Sequence, residues 1–164
     1  MKALSISRVG IQSIEKIHEG AIYRLSSSPS SPVSYPYLVV SENPAHTADI
    51  LTVRDFKKLE KEMRKKIKRG TGLETTVSPA RKMDSMSLGK WFRNLTDLYN
   101  FCHWSNCQFI ISSGATSKYE MISGPSIDAI LKTAGIQPWN YWLDLSRWLE
   151  QRLARNLYHA KEAT

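Results

Sequence analysis

The chain has few cysteines, no long apolar run and fewer acidic than basic residues. Two cysteines in 164 residues cannot form a disulfide framework, and we expect both to be reduced thiols. No stretch approaches the roughly 20 apolar residues of a membrane span. The N-terminus has a charge but no apolar run of signal-peptide length. We therefore expect a soluble, cytoplasmic protein without a membrane partner.

The sequence also lacks the residue groupings that hydrolases, nucleotide-binding enzymes and metalloenzymes need. Its four histidines are scattered singly, and it has no Walker, dinucleotide-binding or nucleophile-elbow pattern. Cys102, His103 and Cys107 are neighbours in the chain, but a structural zinc site needs four ligands in paired spacings. We therefore predict no catalytic residue, no metal ligand and no cofactor held by the protein itself.

Positive charge is what the chain has in excess. Its 23 Lys and Arg against 15 Asp and Glu give a formal net charge of +8. This surplus attracts polyanions, because each cation placed on a phosphate releases a condensed counterion. Nucleic acid, an anionic membrane surface and an acidic protein are the partner classes that fit, and we favour nucleic acid.

Short apolar segments alternate with amphipathic ones through most of the chain. Strands are predicted over residues 37–41, 73–77 and 108–112, and helices over 52–69, 87–104, 123–135 and from 138 to about 160. This alternation predicts an α/β fold of βα units with a mainly parallel sheet. A full eightfold barrel rarely needs fewer than about 200 residues, so we expect a partial or reduced TIM-barrel-like arrangement.

Composition divides the chain into three parts. Residues 1–25 are predicted to form a short strand–helix–strand piece, with strands near 4–9 and 21–25 and a helix near 12–18. Residues 26–34 are rich in Ser and Pro, which is typical of a linker. Residues 35–164 then form the α/β domain, which we expect to bind RNA.

The predicted helix over residues 52–69 is the strongest charge feature. Thr52 and Asp55 have the spacing of a capping box, and Gly70 supplies a stop. A solvated outer helix face would have the same composition, whereas the functional interpretation is a ridge that contacts phosphates. The cationic candidates for RNA binding, on this helix and elsewhere, are Lys57, Lys58, Lys61, Arg64, Lys65, Lys68, Arg69, Arg81, Lys82, Lys118, Arg152 and Arg155.

Two further features have open interpretations. Ser112 and Ser113 end the strand over residues 108–112, where hydroxyls exposed at the carboxyl edge of a parallel sheet could hold a phosphate, so both are candidate RNA-binding residues. As a catalytic signal the motif is weak, because no His–acid pair accompanies it. The last helix has a wide apolar arc, part of which could instead dock a partner protein.

The order of motifs is informative. A strand leads to Val77-Ser78-Pro79, a long helix follows, and then comes Phe109-Ile110-Ile111-Ser112-Ser113-Gly114-Ala115. Glu120, the group Ser123, Pro125 and Asp128, and the pair Gly135-Ile136 come next. Over about residues 37–158 this order resembles the archaeal ribonuclease P protein component 3 family, relatives of the thirty-kilodalton human subunit.

The resemblance implies a barrel of strands and helices similar in shape to metal-dependent phosphoesterases but without their metal ligands. It implies a protein that binds ribonuclease P RNA and precursor tRNA, pairs with a small subunit of the component 2 type, and assists removal of the 5′ leader. The RNA, with its bound Mg²⁺, would carry out the cleavage. Two alternatives remain: a metal-dependent phosphoesterase or hydrolase using a rim with Glu42, Ser112 and Ser113, and a non-specific nucleic-acid-binding protein.

Overall fold

In the part of the chain that the structure describes, five strands lie side by side in sequence order, each parallel to the next. They are β1 (Tyr23–Leu25), β2 (Tyr37–Ser41), β3 (Ile50–Thr52), β4 (Gly72–Thr76) and β5 (Gln108–Ser112). The apolar residues of β2 to β5 are largely buried, as in parallel sheets that helices cover on both faces. The predicted α/β class with a parallel sheet is confirmed, and the order of the elements is compatible with alternating βα units.

The structure is a computed structural model. It describes residues 23–25, 37–43, 47–63, 67–115 and 118–162, and only the backbone of 23–25, 62, 63, 118 and 157–162. The strand and helix predicted near residues 4–9 and 12–18, and the Ser/Pro-rich residues 26–34, lie outside the described residues. So do two of the candidate cations, Arg64 and Lys65.

Four α-helical segments accompany the strands among the described residues. They are α1 (Phe56–Lys58), which continues as a π-helix over Leu59–Met63, α2 (Ser85–Ser105), α3 (Gly124–Thr133) and α4 (Pro138–Glu162). Short 3-10 helices span Ser78–Lys82 and Lys118–Glu120. Asp84 caps α2 by accepting from Ser87 N at 2.8 Å, and Asn106 ends it in the left-handed conformation at φ 54°. No helix in the described part of the chain is long and apolar enough to cross a membrane.

The prediction of a single helix over residues 52–69 is wrong at both ends. Thr52 belongs to β3, and its buried hydroxyl donates to Glu74 Oε2 at 2.9 Å instead of capping a helix. Asp55 is the actual cap, accepting from Lys58 N at 3.2 Å, and the described helix ends at Met63. The apolar residues just before Thr52 pair with β4, and burying them in the sheet outweighs the local helix signal.

Helices α2 and α4 cover opposite faces of the sheet. Phe109 of β5 packs edge-to-face on Tyr99 of α2, with ring centroids 5.6 Å apart. Ile110 points to the other face, where a Cβ added to Gly72 would lie 2.6 Å from Ile110 Cδ1 and 3.0 Å from the Trp148 ring of α4. The lack of a side chain at Gly72 therefore lets α4 approach the sheet closely.

The outer edge of β5 is covered from α4. The Tyr141 hydroxyl accepts a hydrogen bond from Ile111 N at 3.1 Å, and burial, followed by the nearby Glu74, raises the pKa of Tyr141. Helix α3 is bonded to both neighbouring helices, because Thr96 of α2 donates to Ala134 O at the C-cap at 3.1 Å and Trp142 of α4 donates to Asp128 Oδ1 in the middle of α3 at 2.7 Å.

Candidate nucleic-acid interface

Eight of the predicted RNA-binding cations have exposed side chains. They are Lys57, Lys58, Lys61, Lys68, Arg69, Arg81, Lys82 and Arg155. None of these eight forms an ion pair with another residue that the structure describes. The side chain of Lys118 is not described. Exposed cations without a carboxylate partner keep their charge available to an external anion.

The fold separates these cations into three groups. Lys57, Lys58 and Lys61 lie on α1 and its π-helical continuation, directly after β3. Arg81 and Lys82 follow β4 and lie at the carboxyl edge of the sheet. Lys68 and Arg69 precede β4 and lie at the opposite, amino edge. Arg155 lies about one turn of α4 beyond Arg152, whose guanidinium donates to Gly70 O at this edge. The sequence pattern predicted one helix over residues 52–69, but Lys57, Lys58 and Lys61 lie on the helix after β3 whereas Lys68 and Arg69 lie outside it.

The amino edge is where three elements meet. Gly70 N donates to Asn106 O at 2.7 Å, and Gln108 N donates to Thr71 O at 3.0 Å, so the entry to β4 is bonded to the α2–β5 connection. Trp148 of α4 donates its Nε1 hydrogen to Gly70 O at 2.7 Å. The end of α2, the start of β4 and the later turns of α4 therefore share one surface region.

The guanidinium of Arg152 is held at this edge by contacts within the protein. Its guanidinium donates to Gly70 O, lies 5.7 Å from the Trp148 ring centroid, and approaches Asp49 Oδ1 to 3.7 Å. Burial lowers the pKa of Arg152, while Asp49 opposes that shift. The charge of Arg152 is thus used inside the fold, and Arg155 is the arginine of this predicted pair with an exposed side chain.

Sequence reasoning missed the buried polar group beside Arg152. Asp49 accepts from Val39 N at 2.9 Å and from Asn156 Nδ2 at 2.8 Å. Asn156 also donates to Tyr37 O at 3.0 Å, and both polar side chains are buried. Partners separated by more than a hundred residues leave no local pattern that could have identified this cluster.

The predicted exposure of Ser112 and Ser113 at the rim is wrong. Their exposed fractions are 3% and 6%. Ser113 Oγ accepts from Ala115 N at 3.2 Å, whereas Ser112 Oγ has no hydrogen-bond partner among the described residues. Gly114 (φ 61°) turns the chain tightly over β4, where an added Cβ would lie 2.8 Å from Thr76 Cβ. This close turn covers the hydroxyls that the motif was expected to display.

A cleft of about 480 Å³ opens at the carboxyl edge on the α2 side of the sheet. Its wall includes the apolar side chains Phe56, Met83, Trp91, Leu95 and Leu98, and its polar lining includes Glu42, Thr52, Arg54, Thr75, Thr76, Ser78 and Asn94. Arg54 forms an ion pair with Glu42 at 2.8 Å. The cleft has the size of a small-ligand pocket, and its cation is already matched by a carboxylate.

Glu74 is a completely buried acid in the middle of β4. It faces α4, and it accepts the Thr52 hydroxyl at 2.9 Å. Sequence reasoning did not single it out, although a signal was present: a charged residue in an interior strand of a parallel sheet is buried whichever face it points to.

The cysteines are shielded thiols. Burial raises the pKa of Cys102 well above its ordinary value, and it also raises the pKa of Cys107, where hydrogen bonds and Arg152 oppose the shift. Cys107 Sγ lies 3.8 Å from Lys68 O. Within residues 37–43, 47–63, 67–115 and 118–162, no three His, Cys, Asp or Glu side chains are grouped so that they could hold a metal ion.

Comparison with known proteins does not identify a relative. No family model matches the chain, and no curated protein matches it. The function is therefore inferred from the charges, contacts and cavities of this chain.

Proposed function

We propose that the protein binds RNA through its exposed lysines and arginines. The observation that carries this proposal is the set of eight exposed cations that form no ion pair within the described part of the chain. Arg54, by contrast, is matched by the carboxylate of Glu42 at 2.8 Å. A net charge of +8, together with exposed cations that have no carboxylate partner in the described part of the chain, favours binding to a polyanion.

The resemblance to component 3 narrows the proposal to a subunit of ribonuclease P. The two segments that carry the resemblance are neighbours in space, because Val77 N donates to Ser112 O at 2.9 Å and Ser78 N donates to Ser113 O at 3.0 Å. Consecutive parallel strands are also what a reduced TIM-barrel-like sheet requires. In this proposal the RNA and its Mg²⁺ cleave precursor tRNA, and the protein assists beside a component 2 type partner.

Charge reversal on α1 tests the cationic surface. We expect the triple variant K57E/K58E/K61E to weaken RNA binding more than tenfold in low salt. Its plot of log affinity against log salt should be shallower by about 2, since each phosphate contact contributes about 0.7 to 0.9 to the slope. Fluorescence anisotropy with a structured RNA measures both quantities.

A matched variant separates local contacts from net charge. K90E/R93E/K132E reverses three exposed cations on α2 and α3, away from the predicted set. We expect it to weaken binding less and to leave the salt slope nearly unchanged. If both triple variants lose the same affinity, only overall charge matters, and the α1 assignment is refuted.

The identity of the RNA needs a separate experiment. The tagged protein should be purified from its native cell, followed by sequencing of bound RNA and identification of bound proteins. Enrichment of ribonuclease P RNA together with a second small subunit supports the specific proposal. Equal affinity of the purified protein for duplex DNA and structured RNA would instead support non-specific nucleic-acid binding.

The cleft at the carboxyl edge favours one alternative, a phosphoesterase or other hydrolase. Its threonine and serine hydroxyls surround a space large enough for a small substrate. The purified protein, free of RNA, would then have to cleave a phosphoester and lose that activity on chelation. Absence of such cleavage with a panel of phosphoesters at several divalent metal concentrations would eliminate this alternative.

A further inference from the structure

Trp104 is unusually exposed for a tryptophan. Its exposed fraction is 84%, whereas Trp91 and Trp148 are buried and Trp142 is half-buried with its Nε1 hydrogen bonded to Asp128. Trp104 lies in the last turn of α2, two residues before the left-handed Asn106 that ends the helix. Tryptophan side chains are usually buried in the core, where burial stabilises the fold, and the exposed ring of Trp104 makes no such contribution.

Cationic residues lie near the end of α2 that carries this indole. The α2–β5 connection that follows it is bonded to the backbone of residues 68–71, which places Lys68 and Arg69 in the same region. His103 precedes Trp104, and the two rings lie edge-to-face at 5.9 Å. Arg155 is close enough to Arg152 to lower its pKa, in addition to the larger effect of burial. Trp104, His103, Lys68, Arg69 and Arg155 are named the amino-edge surface.

We infer that Trp104 stacks against an unpaired base of the bound RNA while the cations of the amino-edge surface contact the flanking phosphates. This inference rests on the proposed function and adds single-stranded nucleotides as the class of ligand. Exposed aromatic rings beside cations are the usual means of holding single strands, because every base has a face that can stack and every linkage has a negative charge.

A second exposed tryptophan provides a control for the role of the cations in binding. Trp139 has an exposed fraction of 69%, at the start of α4. Residues 134–143 around it contain no Lys or Arg, and its exposed neighbour one turn along is Leu143. Trp139 is thus exposed as Trp104 is, but the described side-chain hydrogen bonds that join its segment to other elements involve Thr96, Ile111 and Asp128, none of them a cation. The two positions therefore form a matched pair for experiment.

The test compares W104A, W104F and W139A in binding to a 12-nucleotide single-stranded RNA and to a blunt RNA duplex of the same length. We expect W104A to bind the single strand roughly 5- to 100-fold more weakly, and the duplex within about twofold of the wild type. W104F should recover most of the loss because a phenyl ring still stacks. W139A should bind both RNAs as the wild type does.

Salt dependence provides a second readout, because removing a stacking ring should lower affinity without changing the salt slope. Equal single-strand affinities for W104A and W139A, in a protein that still responds to K57E/K58E/K61E, would overturn the stacking inference and leave the proposed function standing. An equal loss on single strand and duplex would overturn it too. A wild-type protein with no measurable affinity for any RNA would overturn the proposed function itself.

Discussion

Asn156→Ala is expected to loosen α4 from the sheet. Asn156 donates to Tyr37 O at 3.0 Å and to Asp49 Oδ2 at 2.8 Å, and it is buried against the amino edge. Its amide is therefore a direct link between the last described helix and the segments that begin β2 and β3. Replacing it by alanine removes two hydrogen bonds without adding a side chain that must be accommodated.

The magnitude follows from what the substitution leaves behind. A bond to a neutral carbonyl contributes about 0.5–1.5 kcal/mol and one to a charged group about 1.5–3 kcal/mol. Asp49 still accepts from Val39 N and stays near Arg152. Losing the bond from Asn156 to this carboxylate is therefore expected to cost an energy at the lower end of the range for charged groups. Alanine returns about 0.5 kcal/mol through its helix propensity. The net destabilisation is expected to be about 2 kcal/mol.

Urea unfolding, followed by circular dichroism, measures this loss. With a slope of about 2 kcal/mol/M, the midpoint should fall by about 1 M. Asn140→Ala is the control, because it makes the same chemical change at an exposed position of the same helix. If the unfolding free energies of the two variants differ by less than about 0.5 kcal/mol, the buried amide is not an anchor for α4.

Two further predictions concern the backbone and a helix cap. Gly89→Ala should stabilise the protein by about 0.5–1 kcal/mol, because a Cβ there meets nothing within 4 Å. Gly114→Ala should destabilise it by more than about 1 kcal/mol, because the residue has a φ of 61° and an added Cβ would be crowded by Thr76. Thermal melts showing the same sign for both would contradict this account. Hydrogen bonds from Ser87 hold the pKa of Asp84 below its ordinary value. The carboxylate therefore stabilises the fold at pH values above the ordinary aspartate pKa, and this stabilisation is lost as the pH falls through the folded-state pKa. The deficit in melting temperature of Asp84→Ala should therefore be larger at neutral pH than in strong acid, and a deficit independent of pH would count against the charge of Asp84.

Several elements could be predicted because their signals are local. Strands β2 and β5 have the predicted bounds, and β4 is displaced by one residue. Helix α3 begins at the predicted Ser-Gly-Pro segment, and α4 begins at Pro138. Strand β3 could not be predicted in this way, since three residues carry little periodicity and Thr52 and Asp55 mimic a capping box. Pairing with β4, which is non-local, decides its conformation.

The candidate site was less predictable, because burial is a tertiary property. The sequence identifies which residues are cationic, but it does not distinguish Arg152, which is used within the fold, from Arg155, which is exposed. Ser112 and Ser113 have the composition of an exposed rim, yet the turn at Gly114 buries them. Sequence reasoning did not single out Glu74, because its burial depends on the strands that pair with β4 on either side.

The two edges of the sheet differ in what they can offer a nucleic acid. Ligands of parallel sheets usually bind at the carboxyl edge, but there Arg54 is paired with Glu42 and the strand-end serines are buried. The amino edge combines the exposed Lys68, Arg69 and Arg155 with an exposed indole ring. Phosphate contacts need free cations, and unpaired bases need a ring to stack on. The amino edge, within the described part of the chain, provides both on one surface, so an unpaired RNA strand is expected to run along that edge. The exposed Lys57, Lys58 and Lys61 of α1 are expected to contact phosphates elsewhere on the same RNA.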